Sequence, residues 1–111
     1  MDFLIDGLQY ANWSEKIFKQ MRKGNVDAVH VTITYHENFR ETVLQIEKWN
    51  RFFEQFPDLI FQGRTAADIK VAKDTKRTAI FFGSQNPSCI EDDIGLVEIL
   101  HTLGLRFMQL T

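Results

Sequence analysis

The chain reads as an α/β protein built from parallel β/α units. Three observations predict this. Apolar runs of strand length recur along the chain and alternate with amphipathic stretches at helical spacing. The segment Val26–Tyr35 (VDAVHVTITY) is β-branched and alternating, which is the clearest strand signal present. The last third, from Arg77 onward, reads as strand, loop, helix and returning strand, a βαβ unit with a right-handed crossover.

The elements follow in order. Phe3–Ile5 is a short apolar run that ends at Asp6-Gly7, a strand followed by a loop through Trp13. Asn12 or Ser14 caps a helix from about residue 14 to 23, closed by Gly24-Asn25, with Ile17, Phe18 and Met21 inward. After the Val26–Tyr35 strand, Asn38 and Glu41 have capping-box spacing. The helix they open carries a stripe of Phe39, Val43, Ile46, Trp49 and Phe53 and stops before Pro57. Leu59–Phe61 is short and ambiguous between strand and loop. Thr65 with Asp68 predicts a capped helix to about Lys73, followed by a basic end suited to a helix C-terminus.

Thr78–Phe82 has the length of a buried strand, and Gly83–Pro87 breaks it with turn-forming residues. Ser88 and Glu91 again have capping-box spacing, which predicts a helix from Ser88 with Ile94, Val97 and Leu100 on its apolar face. Gly104 closes it, and Leu105–Leu110 alternates as a final strand. Four strands fit half of a closed barrel or an open doubly wound sheet. The final apolar strand, without a polar tail, favours the half barrel and a single partial domain over residues 1–111.

Composition narrows the function. The 111 residues make one modest domain, and a net charge of −2 gives no pull toward nucleic acid or an anionic membrane. No apolar run is long enough to span a bilayer, and Met1–Asp6 lacks a signal peptide's basic start. The single cysteine, Cys89, excludes an internal disulfide and fits a cytoplasmic setting. Its expected role is that of a small buried residue. Ten phenylalanines imply a bulky core or a large interface. No phosphate-binding glycine loop is present, and His30, His36 and His101 lack metal-ligand spacing.

In a parallel α/β sheet, function gathers at the carboxyl ends of the strands. That rule selects Asp6, Gln9 and Tyr10 after the first strand, His36 after the second, and Gln85 with Asn86 after the Thr78–Phe82 strand. Gln85 and Asn86 fit a polar substrate contact, or simply a turn that satisfies its own backbone. Asp6 orients a loop or holds a cation. Trp13 and Tyr35 adjoin strand ends and could line a pocket, whereas Trp49 belongs to a core stripe.

Two segments carry a resemblance. Ile5-Asp6-Gly7 with its following loop resembles the opening of the membrane (renal) dipeptidase family. Ile90–Thr111, ending in Gly104–Thr111 (GLRFMQLT), is similar to that family's helix and strand leading to a Gly-hydrophobic-Arg-hydrophobic-x-x-Leu-Thr signature. The resemblance implies the N-terminal half of a TIM-like (β/α)8 barrel. It also implies hydrolysis of dipeptides or small amides by water activated on two zinc ions. The family places His-x-Asp after the first strand's Asp-Gly and a bridging glutamate after the third. Here Leu8, Tyr10 and Gln85 occupy those positions, so no intact metal ligand is expected. The expectation is therefore a dipeptidase-like metallohydrolase chain, inactive as these 111 residues, with a small peptide or amide as substrate. A non-catalytic ligand-binding or assembly module of the same fold is the alternative. A homo-oligomer or a missing C-terminal half would complete the barrel.

Overall fold

The structure, a computed structural model, describes residues 2–110. Thr111, the last residue of the Gly104–Thr111 segment, lies outside the described residues. Five strands alternate with four helices: β1 (Ile5–Gln9), α1 (Glu15–Lys23), β2 (Ala28–Thr34), α2 (Phe39–Gln55), β3 (Ile60–Gln62), α3 (Ala67–Thr75), β4 (Thr78–Ser84), α4 (Leu96–Leu103) and β5 (Leu105–Met108). A 3-10 turn, Pro87–Ile90, precedes α4. Every strand pair is parallel. The sheet runs β1-β2-β4, and both β3 and β5 pair with the far edge of β4. They share that edge end to end: β3 pairs with Thr78–Ile80 and β5 with Phe82–Ser84. The four long-range neighbours β1, β2, β4 and β5 follow the order of successive barrel strands, and the parallel sheet with alternating helices is that of a TIM-like barrel.

Alternation sorts the two faces. Val29, Val31 and Ile33 of β2, with Ile80 and Phe82 of β4, point to α1, α2 and α4, where Phe18, Met21, Ile46, Trp49 and Leu100 bury against them. Trp49 packs edge-on to Trp13 and Phe52 and tilted against Phe18, which accounts for much of the phenylalanine-rich composition. On the other face, Ala28 and Ala79 receive Ala72 of α3. Small side chains let that helix sit close to the sheet at the strands' amino-terminal end. Lys73 of α3 pairs there with the buried Asp27 at 3.2 Å, and Asp27 also accepts from the backbone N–H of Leu4. Burial of one carboxylate is offset by two donors.

Four expectations change. Leu59–Phe61 resolves as strand β3, shifted to Ile60–Gln62; its ladder to β4, which the residues themselves do not encode, decides the matter. The first strand begins at Ile5 and runs through Asp6-Gly7 to Gln9, because β2 offers pairing partners that far. The helix expected from Ser88 is instead a 3-10 turn and a separate α4. Glu91 takes a left-handed backbone (φ 54°), and its carboxylate leaves its own helix to accept from Phe39 N at 3.0 Å. Helix α4 starts after an Asp93 turn, in which Asp93 Oδ1 accepts from Gly95 N at 2.9 Å. The shorter helix turns Leu100 inward and leaves Ile94 80% exposed. The helix expected from Thr65 begins at Ala67 without a side-chain cap; Asp68 instead folds back to accept from the backbone N–H groups of Arg64 and Thr65.

Glycine is required at Gly83. On the inner face of β4 it lies under the His30 ring, and a Cβ there would collide with Nε2. Gly83→Ala therefore forces the imidazole off its seat. We expect a loss of about 2 kcal/mol, read as a lowered urea midpoint; an unchanged midpoint would show that the ring swings aside freely.

Candidate functional site

Parallel pairing brings the carboxyl ends of β1, β2 and β4 to one rim of the sheet. The loops of this rim are bonded to one another. Gln85 N donates to Thr34 O at 2.9 Å, extending the β2–β4 ladder by one step. Ser88 Oγ donates to Glu37 O at 2.9 Å, and Glu91 holds Phe39 N, so the loops after β2 and β4 are stitched twice. A buried hydroxyl pair, Thr34 and Thr42 at 2.8 Å, fixes the end of β2 to the first turn of α2. The Asn38–Glu41 capping box forms as its spacing predicts.

On this rim Tyr10, Tyr35 and Gln85 line one cavity of about 290 Å³. The two phenol rings lie 6.0 Å apart, tilted by 48°. The Gln85 carboxamide is oriented from behind by Thr32, whose Oγ1 accepts from Nε2 at 2.7 Å. The strand-end positions Tyr10 and Gln85 thus meet, although they are 75 residues apart in sequence.

The other sequence candidates take different places. Asp6 lies within β1, and its Oδ1 accepts from Leu8 N at 3.2 Å. The strand around it, Ile5–Gly7, lines a second, more apolar cavity of about 390 Å³ on the sheet's inner face, with His30, Phe81, Arg106 and Phe107, while pairing with Val29 puts the Asp6 side chain on the opposite face. Gln9 is part of β1 beside Val31 and lines neither cavity. His36 is exposed and stands edge-on to the Tyr35 ring, 4.4 Å between centroids, outside the mouth lining. Asn86 serves its own turn: Oδ1 accepts from Ser88 N at 2.9 Å and caps the 3-10 segment. Cys89 is buried against the core.

Two contributors were not singled out by sequence. Thr32, an ordinary strand threonine in the sequence, positions Gln85. Glu37 accepts from the backbone N–H groups of Tyr35 and His36, at 2.6 and 3.0 Å, and so sets the loop that presents Tyr35. An acid two residues past a strand end was the available signal.

His30 sits below the rim, on the inner face with Ala28 and Thr32 as alternation requires. Its Nδ1 lies 3.0 Å from Gly7 O; a carbonyl only accepts, so Nδ1 carries the proton. The ring stacks on Phe107 at 4.3 Å, and Nε2 is buried without a partner. Gly7, His30, Gly83 and Phe107 form one inner layer in which bulk comes from alternate strands, β2 and β5, while β1 and β4 supply glycine.

The donor chemistry bears on a metal centre. Leu8 offers hydrocarbon, Tyr10 an exposed phenol, and Gln85 a neutral carboxamide already bonded to Thr32. Zinc centres take thiolate, imidazole or carboxylate ligands. Among the described residues, no group of three or more His, Cys, Asp or Glu side chains stands together in a way that could hold a metal ion. The residues in these three positions do not fit a binuclear zinc site.

Burial lowers the His30 pKa below its ordinary 6.5, against a smaller opposing effect from the Gly7 carbonyl. A lowered folded-state pKa means that the unfolded chain binds the proton more readily. The stability contributed by neutral His30 is complete above the unfolded value and declines as pH falls below 6.5 toward the lower folded value. Urea titrations across that window are expected to show a slope that His30→Gln flattens. Equal slopes in the two proteins would remove His30 as the cause.

Comparison with known proteins places this geometry. Residues 7–111 match the membrane dipeptidase family, peptidase family M19. No curated protein matches. Among solved structures, an amidohydrolase from Pseudomonas aeruginosa superposes with a TM-score of 0.96 at 38% identity, over 97% of this chain and 33% of that one. Dipeptidase AC, a metallopeptidase of family M19, superposes with a TM-score of 0.81 at 13% identity, over 96% of this chain and 41% of its own, and shares the fold. The chain therefore spans about a third of the length of the amidohydrolase. Among the described residues no helix is long and apolar enough to cross a membrane. By its match over residues 7–111, the chain belongs to the membrane dipeptidase family, peptidase family M19.

Proposed function

We propose that this chain supplies the substrate-facing mouth of a hydrolase acting on dipeptides or small amides, and that it is inactive as these 111 residues alone. The observation that carries this reading is the meeting of Tyr10 and Gln85 at the carboxyl-end rim of the sheet. Membership of the family supports hydrolytic chemistry, in which a zinc-bound water would be the nucleophile. Leu8, Tyr10 and Gln85 contribute no ligand to that ion. What the chain's own residues do is orient and enclose: Thr32 holds Gln85, Glu37 holds the Tyr35 loop, and the two tyrosines wall the cavity. The lone buried Cys89 supports a cytoplasmic setting.

A second reading is a non-catalytic ligand-binding or assembly module, favoured by the donor chemistry at the same three positions. Two measurements separate the readings. Incubated with zinc, the purified 111-residue protein is expected to retain no stoichiometric metal and to cleave no dipeptide; bound zinc with cleavage would overturn its inactivity. The product of the complete coding sequence is expected to cleave at least one member of a dipeptide panel. A metal-loaded product that cleaves none would leave the binding-module reading.

We further propose that, in isolation, this chain pairs with a second copy. Phe3 and Leu4 just before β1, Ile5 and Leu8 within it, Phe107 in β5 and Leu110 just after it are exposed. A twofold axis that sets β5 of one copy beside β1 of the other would cover both edges and bring eight barrel strands together. Sedimentation at micromolar concentration is expected to give a dimer, and a monomer would count against this pairing.

A further inference from the structure

The mouth cavity has a recognition chemistry that differs from metal coordination. Its lining is two phenol rings and one carboxamide, Tyr10, Tyr35 and Gln85. One N–H of the Gln85 carboxamide donates to Thr32 Oγ1, which leaves its oxygen as an acceptor for a ligand, beside the second N–H. Aromatic rings present a negative face, which attracts cations. No lysine or arginine lines this cavity.

The adjoining cavity shares Tyr10 and Tyr35 and adds the Glu37 carboxylate. Its one cation, Lys48, leans over the Phe52 ring, 5.8 Å from the centroid. An anion entering the mouth would find no counter-charge in its lining. A cation bearing N–H groups would find two phenol rings, an amide oxygen and a carboxylate nearby.

We propose that the mouth cavity binds the primary ammonium group of a small amine, such as the free amino end of an amino-acid amide or short peptide, without a metal ion. This deepens the reading of the rim as the substrate-facing mouth and rests on it. The contacts are ion–quadrupole attraction to Tyr10 and Tyr35 and an N–H donated to Gln85 Oε1. Tyr10 is 69% exposed, so water screens the site and the expected dissociation constant is millimolar.

The test is an NMR titration of the 15N-labelled 111-residue protein with glycinamide and, separately, with N-acetylglycinamide. The second probe keeps the amide and lacks the charge. Glycinamide is expected to shift the Gln85 side-chain amide and the backbone amides of Tyr10 and Tyr35 saturably, and N-acetylglycinamide about tenfold more weakly. Tyr10→Leu and Gln85→Leu are each expected to weaken glycinamide binding several-fold while leaving the rest of the spectrum in place. Exposed Tyr10 contributes little to the core, so its variant keeps the fold. Equal responses to the two probes, no response to glycinamide, or a stronger response of the same amides to acetate would overturn the proposal. The hydrolase reading stands or falls separately. Glycinamide binding here with no dipeptide cleavage by the complete product would sink only that reading. Equal probe responses with cleavage would sink only the ammonium site.

Discussion

One backbone constraint governs the architecture: β4 must satisfy three parallel neighbours. Its inner edge is taken by β2 along nearly the whole strand, and its outer edge is divided between β3 and β5. The division works only if the chain between them closes neatly. Gly104 permits this with φ 119°, where a side chain would strike Gln62. Gln62 Nε2 then donates to Leu103 O at 3.3 Å, and Arg106 Nε donates to Arg64 O at 2.8 Å, so the ends of β3 and β5 are tied across the gap. With β4 fixed on both sides, Gln85 emerges from its end at a defined height beside Thr34. The mouth geometry is thus inherited from the sheet, and the loops contribute mainly by being held against it.

The inner face adds a steric rule. The His30 ring fills the space that Gly83 leaves empty and stacks on Phe107, while its Nδ1 bonds the Gly7 carbonyl. Large side chains on alternate strands are how a closed barrel packs its centre. Four consecutive members of that arrangement already stand in place here. The neutral imidazole is the cheaper state for a ring whose Nε2 has no partner, because an ion there would lose its hydration as well.

Periodic features were legible in the sequence. Val26–Tyr35 and Thr78–Phe82 became the central strands, Trp49 and Ile46 entered the core, and the Asn38–Glu41 cap formed as spaced. Features that depend on distant partners were hidden. Glu91 has capping-box spacing from Ser88, yet the Pro87 turn is 3-10 and the carboxylate bonds 52 residues away. Three residues of β3 are too few to show alternation, and only the β4 ladder makes them a strand. At the rim, the strand-end rule selected Tyr10 and Gln85, which line one cavity with Tyr35. It also selected Asn86 and His36, because position alone does not say whether a polar group turns to solvent, to its own backbone or to a cavity. Thr32 carried no signal, since a threonine in a strand is ordinary.

Helix α3 lies on the concave side, pressed by Ala72 onto Ala28 and Ala79 at the amino-terminal end of the strands. Its amino-terminal end, with Thr65, Ala66 and Ile69, walls the same inner cavity as His30, Phe81 and Phe107, so a molecule lodged there would rest against a helix as well as against the sheet.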